Sequence, residues 1–293
     1  MMRNALSIDL EEWFHAELVR KRVTDDRPER RIEWAVEPML VLLQRYDVRA
    51  TFFVVGDVMR HHPGLVRRIY EAGHEIGCHG WSHRPLWTLD PERFAWELQE
   101  FDRDASSVVP LDEIVGFRAP TFSLDERTRW AIDILRAHGL RYDSSIFPMR
   151  TTLYGVDDCP PDPYRPTAEE LTQDHPGEAF LEFPMTVYRV GGMHIPISGG
   201  FYLRATPFGI LRRLLTAMNA QGHPFVIYLH PWEADRRTPR IKGASMFERF
   251  VTYYNAASVL RKLETLLQRF RLAPLRDILG IRGGRSPMKG SGR

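Results

Sequence analysis

Two histidines four positions apart, His79 and His83, follow the short apolar run Glu75-Ile76-Gly77-Cys78, which reads as a buried strand. Imidazoles at this separation can turn onto one metal ion if a carboxylate arrives from elsewhere. The other reactive side chains fall in the same kind of place. Asp9 and Glu11, Arg118, Asp143 and His230 each stand just past an apolar run. Three protein ligands drawn from His79, His83 and one carboxylate would leave an open coordination position, the arrangement of a catalytic rather than a structural site. Such a metal polarises a carbonyl and acidifies water. A second carboxylate could take the water's proton, and a separate histidine could protonate a leaving group. On an extended segment Asp9 and Glu11 point to one side and Glu12 to the other, so Asp9 and Glu11 form the better pair. No G-x-S-x-G elbow surrounds Ser144 or Ser145, which discounts a serine nucleophile. Cys78 reads as a core residue, and His61, His62 and His74 as structural or exposed.

The elements that would position these groups alternate along the chain. Apolar runs predict strands at 5–9, 49–55, 75–78, 114–117, 141–143, 180–190, 193–197 and 224–229. Between them, helical spacing predicts helices over 36–46, 63–73, 91–107, 123–139 and 207–221. Asp90-Pro91 reads as an N-cap with proline at N1, and Ser123 to Glu126 as a capping box. Thr151 to Pro166 reads as a surface loop, and 246–270 as amphipathic helix with a break at Asn255. Strand–helix alternation of this kind predicts a parallel sheet. Seven or eight strands suit a barrel of the TIM type, with a doubly wound open sheet as the alternative. In a parallel barrel, residues past the strand ends share one face.

The 293 residues carry a formal net charge of only +2, which gives no general reason to expect nucleic acid. Two cysteines are too few for a disulfide framework and fit a reducing compartment. No apolar core opens the chain and no run of about 18 apolar residues occurs, so neither a signal peptide nor a membrane span is expected. A cytoplasmic location follows as the expectation, with the inner membrane face as a variant. The expected organisation is one barrel over residues 1–281, with a helical extension over about 233–281 and a disordered tail over 282–293.

Asp9-x-Glu11, His79-x-x-x-His83, Arg118-x-Pro120, Asp143-x-Ser145 and His230 occur in the order found in the NodB-homology polysaccharide deacetylases, carbohydrate esterase family 4, and the chain resembles that family over about residues 5–232. The Asp-x-Glu-Glu opening, His230-Pro231-Trp232-Glu233, Tyr253-Tyr254-Asn255 and Pro274-Leu275-Arg276 resemble its exopolysaccharide (exosortase)-associated subgroup. The resemblance implies a distorted (β/α) barrel that removes N-acetyl groups from amino sugars. It implies a divalent metal, zinc first, with cobalt or nickel as alternatives, and an N-acetylated oligo- or polysaccharide as the partner. By the same resemblance Asp9 would be the catalytic base, with Glu11, His79 and His83 as metal ligands. Arg118 would pair with Asp9, and His230 would be the general acid, oriented by Asp143. Phe122, Phe147 and Leu229 would wall an acetyl pocket, with Trp232 contacting substrate. Trp81, Trp87 and Tyr202 could extend a sugar-stacking platform.

Three positions depart from the common family pattern. Leu10 stands where a second aspartate is usual, so the carboxylate ligand shifts to Glu11. Ser144 replaces an aromatic, and Arg84 intervenes between His83 and Pro85. The expectation is therefore a metal-dependent polysaccharide deacetylase. Its rivals are a hydrolase of other amides, cyclic imides or O-acetyl esters on the same scaffold, and a catalytically silent sugar-binding relative.

Overall fold

The computed structural model describes residues 2–25 and 27–285. Six strands run parallel in sequence order: β1 (Arg3–Leu10), β2 (Thr51–Val54), β3 (Glu75–Cys78), β4 (Gly116–Phe117), β5 (Tyr142–Asp143) and β6 (Leu181–Glu182). An antiparallel hairpin, β7 (Val187–Val190) with β8 (Met193–Pro196), follows as a separate two-stranded sheet. Two later strands, β9 (Val226–Leu229) and β10 (Arg271–Ala273), return to pair parallel with β1. The sheet curls into an incomplete barrel ringed by helices, the distorted (β/α) barrel expected from the alternation.

No backbone ladder joins β6 to β9. One side chain bridges the seam just beyond β6, where the Thr186 hydroxyl accepts from Val226 N–H and donates to Val226 C=O, each at 2.8 Å. Period-two alternation sorts the strand residues. Leu6, Ile8 and Leu10 of β1, with Phe52 and Val54 of β2, pack outward into the main core with Val36, Met39, Leu43, Phe94 and Leu98 of the helices. Ala5 and Phe53 turn inward to Tyr142, Phe183 and Tyr228. The same alternation puts Ser7 and Asp9 on the inner face.

At the amino-terminal end of the strands, Glu75 accepts from the hydroxyls of Thr51 (2.5 Å) and Tyr142 (2.8 Å). The segment after β10 closes that end, with Leu275 N–H donating to Thr51 Oγ1 at 2.8 Å and Arg276 N–H to Glu75 Oε2 at 3.1 Å. The region expected as a helical extension thus also contains a sheet strand and a plug. Arg285 holds Asp102 through two contacts of 2.6 and 2.7 Å. Residues 286–293, the remainder of the expected tail, lie outside the described residues.

Asp90 caps the helix Pro91–Ala105 by accepting from Arg93 N–H at 2.7 Å. The chain breaks at Asn255, whose φ of 53° separates the helices Met246–Tyr253 and Val259–Arg269. The expected capping box at Ser123 does not form. Ser123 Oγ accepts from Leu86 N–H and donates to Pro120 C=O, and the helix begins only at Ala131. The loop over 151–166 buries Val156, Cys159 and Tyr164, so it is packed rather than superficial.

Candidate active site

The carboxyl ends of β1, β3, β4 and β9 deliver the reactive side chains to one cavity of about 450 Å³. β1 ends at Leu10, and Glu11 N–H turns back onto Asp9 C=O at 3.0 Å. That turn keeps Glu11 in the cavity with Asp9. Glu12 leaves it, accepting from the N–H groups of Arg31 (3.0 Å) and Ile32 (3.2 Å) at the start of the helix Ile32–Arg45. After β3 the chain doubles back with positive φ at Gly80 (69°) and His83 (53°). Glu97 holds this loop, accepting from the N–H groups of Trp81 and Ser82 at 3.2 Å each and from the Ser82 hydroxyl.

Glu11, His79 and His83 are buried, and their candidate ligand atoms lie within 4.8 Å of one another. His79 Nδ1 meets Arg118 C=O at 2.7 Å, which fixes Nδ1 as donor and leaves the Nε2 lone pair facing inward. His83 Nε2 lies against Glu11 Oε2, yet that oxygen is buried without a hydrogen-bond partner. An orphaned carboxylate oxygen beside two imidazoles fits a divalent cation, and the N, N, O donor set suits zinc, cobalt or nickel. Burial would raise the Glu11 pKa, but His83, His230 and His79 hold it well below the usual carboxylate range. Burial pushes His79 down to about 4, which favours the neutral ring a metal requires.

Asp9 and Arg118 form a buried ion pair at 2.7 Å between Oδ1 and Nη1. The guanidinium also donates to Ser7 Oγ (2.7 Å), Ser144 C=O (2.8 Å) and Ser144 Oγ (2.9 Å), and lies over the Phe53 ring at 4.3 Å. These contacts leave Asp9 Oδ2 facing the cavity, 4.0 Å from His79 Nε2 and 3.7 Å from His230 Nε2. Ser144, a departure from the family pattern, is thus a support for Arg118.

His230 Nδ1 meets Glu233 Oε2 at 3.0 Å. The partner expected from the sequence, Asp143, is elsewhere: it accepts from Ser145 Oγ (2.5 Å) and Ser145 N–H (3.1 Å) and lies opposite Glu182 on β6. Ser145 Oγ in turn accepts from Ala119 N–H at 2.6 Å, so Asp143 braces the loop after β4. A readable signal for Glu233 existed in His230-Pro231-Trp232-Glu233, proline at N1 and a glutamate at N3, which reaches back to the N-cap as a capping box. Burial disfavours the charged His230 ring, but Glu11, Glu233 and Asp9 outweigh it and raise the pKa to about 9.

Trp232 Nε1 donates to Glu11 Oε1 at 2.9 Å and its ring stacks on His230 at 5.1 Å. Phe122 lines the cavity, and Thr121 and Phe122 both take positive φ there (59° and 51°). Phe147 stands behind Phe122 at 6.1 Å and does not itself line the space. Leu229 points into the helix-facing core, and the strand alternation presents Tyr228 to the cavity instead. Of the proposed stacking residues, Tyr202 and Trp232 reach the cavity. Trp81 packs on Trp96 at 5.4 Å, and Trp87 meets Arg127 at 4.7 Å.

Comparison with known proteins finds two family models along the chain. A family model described as "Polysaccharide deacetylase" matches residues 24–142, and one described as "Domain of unknown function (DUF3473)" matches residues 144–280. Chitin deacetylase 1 of Cryptococcus neoformans is 35% identical over 96 residues, 31% of this chain and 20% of that protein. Peptidoglycan-N-acetylglucosamine deacetylase PgdA of Listeria monocytogenes is 48% identical over 48 residues, 16% of this chain and 10% of that protein. The matched segments span a fifth or less of these relatives' length. A putative polysaccharide deacetylase from Mycobacterium smegmatis superposes with a TM-score of 0.60 at 20% identity, covering 94% of this chain and 90% of that one. PuuE allantoinase superposes with a TM-score of 0.58 at 17% identity, covering 94% and 88%. These two likenesses show the fold. The two family models divide most of the chain between them, each matching less than half of it, and the two solved structures share its fold.

Proposed function

We propose that this chain is a metal-dependent hydrolase that removes N-acetyl groups from amino sugars of a polysaccharide or its precursor. The observation that carries the reading is the Asp9–Arg118 pair set beside the Glu11, His79 and His83 ligand set, with His230 across the cavity. A divalent cation held there, zinc first, would supply a Lewis acid for the amide carbonyl and acidify the attacking water.

The chain's own groups would do the proton work. Arg118 occupies Oδ1 of Asp9 and leaves Oδ2 to take a proton from water. His230, with Nδ1 engaged and Nε2 turned to the cavity, would give a proton to the departing amine as the carbon–nitrogen bond breaks. Acetate and a free amino sugar would leave. Trp232 would fix the Glu11 carboxylate, and Tyr202 and Trp232 would offer ring faces to sugar. The match of residues 24–142 to the polysaccharide deacetylase model and the names of the relatives support an N-acetylated glycan as substrate, and the subgroup resemblance points to an exopolysaccharide. Among the described residues no helix is long and apolar enough to cross a membrane.

The test is acetate release from N-acetylated glucosamine oligomers, run beside O-acetylated glycan and a cyclic ureide. Acetate matched by new free amine, and abolished by chelation, is expected. Preference for the ureide or the ester would overturn the substrate assignment, and tight glycan binding without acetate release would overturn the hydrolase reading.

A further inference from the structure

We infer that Glu233, clamped by Arg204, is the positioning carboxylate for His230, so that the DUF3473 region supplies the acid half of the catalytic site. This rests on the deacetylase reading above. Glu233 Oε2 accepts from His230 N–H at 3.0 Å and lies 3.0 Å from His230 Nδ1. One oxygen therefore holds both the backbone and the ring of the same residue. The other oxygen, Oε1, takes Arg204 Nε at 2.7 Å, and both side chains are 1% exposed.

Arg204 has no freedom to leave. Its Nη1 donates to Tyr254 C=O at 2.6 Å and its Nη2 to Val251 C=O at 2.7 Å, at the end of the helix Met246–Tyr253. Its own C=O accepts from Asn255 Nδ2 (2.9 Å) and Lys262 Nζ (3.0 Å). The cluster spans four elements, all within the region 144–280.

A carboxylate on Nδ1 dictates which ring nitrogen faces the substrate. With Nδ1–H committed to Glu233, the proton available for transfer is the one on Nε2, which lies 3.7 Å from Asp9 Oδ2 and 3.8 Å from Glu11 Oε1. Stacking on Trp232 and the edge-on Tyr228 ring at 5.5 Å hold the ring plane. Among the described residues no other carboxylate makes a hydrogen bond to Nδ1, and both oxygens of Asp143 are taken by Ser145. In this way a buried Arg–Glu pair acts on the reaction through His230 without touching the acyl group.

A general acid matters in proportion to how poorly the leaving group departs. An amine must be protonated to leave, whereas 4-nitrophenolate leaves without a proton. The test compares zinc-loaded wild type, Glu233→Gln and Arg204→Lys on an N-acetylated glucosamine oligomer and on 4-nitrophenyl acetate, with zinc content and melting temperature measured alongside. Glu233→Gln is expected to lower the amide-to-ester ratio of kcat by roughly 10- to 100-fold, with KM and zinc content near wild type. Glu233→Asp is expected to recover part of the loss. Arg204→Lys keeps a charge opposite Glu233 but cannot hold all three acceptors. It is expected to shift the ratio the same way, and it carries the test if Glu233→Gln does not fold. An equal fall on both substrates, or loss of zinc, would overturn the inference and leave Glu233 a structural residue. Wild type inert on both substrates would overturn the deacetylase reading and this inference with it.

Discussion

In the proposed mechanism Asp9 is the base, and geometry supports it at one oxygen: Arg118, braced by Ser7 and Ser144, takes Oδ1 and leaves Oδ2 to the cavity. Asp9→Asn should therefore lower turnover by a factor on the order of 10² to 10⁴ without loss of fold, measured as kcat for acetate release against the melting temperature. Arg118→Lys should also cut kcat, by a factor on the order of 10², because one ammonium cannot bridge Asp9, Ser7 and Ser144 in a plane. At this scale the sequence was readable where a period decided the matter. Alternation along β1 put Asp9 on the inner face, whereas β1 ends at Leu10 and it is the turn of Glu11 N–H onto Asp9 C=O that keeps Glu11 there and lets Glu12 leave. The sequence was unreadable where a partner comes from a distant turn: nothing near Asp143 announces Glu182, which arrives across 39 residues to occupy the neighbouring strand. The opposite holds for Glu233, whose spacing from His230 carried a capping-box signal that the family pattern overrode.

Elements transmit these demands to the backbone. Glu12, turned out of the site, caps a helix, so Glu12→Ala should leave metal binding intact and cost about 1–3 kcal/mol of stability, read from denaturant unfolding. His74, at the entry to β3, accepts Ala50 N–H on Nδ1 at 3.2 Å, and burial beside Arg49 pushes its pKa down to about 4. The unfolded imidazole takes its proton near 6.5, so the unfolded chain binds more protons between those values. Stability should be fully present above pH 6.5 and fall as the pH drops towards 4, by about 3 kcal/mol at most, and His74→Asn should flatten that slope. Strand positions were legible because Phe52 to Val55 and Val226 to Leu229 are uninterrupted apolar runs. The helix start at Ala131 was not, because Ser123 spends its hydroxyl on Leu86 and Pro120 rather than on its own helix.

Across the whole molecule, one barrel face gathers groups from β1, β3, β4 and β9, and the segment after β10 closes the opposite end. Removing residues 271–285 would take β10 from β1 and expose Thr51 and Glu75, so the shortened chain should lose its cooperative melt. Parallel alternation made this architecture legible, whereas the plug at Leu275 and Arg276 depends on contacts spanning most of the chain and left no local pattern. The central claim is that Glu11, His79 and His83 hold a divalent cation beside Asp9. The most direct measurement is metal content by mass spectrometry of purified wild type, Glu11→Ala, His79→Ala and Glu12→Ala after zinc reconstitution. The account predicts near-stoichiometric metal in wild type and in Glu12→Ala, with loss in Glu11→Ala and His79→Ala. Wild type that takes up no metal, or Glu11→Ala that keeps it while Glu12→Ala loses it, would contradict the account.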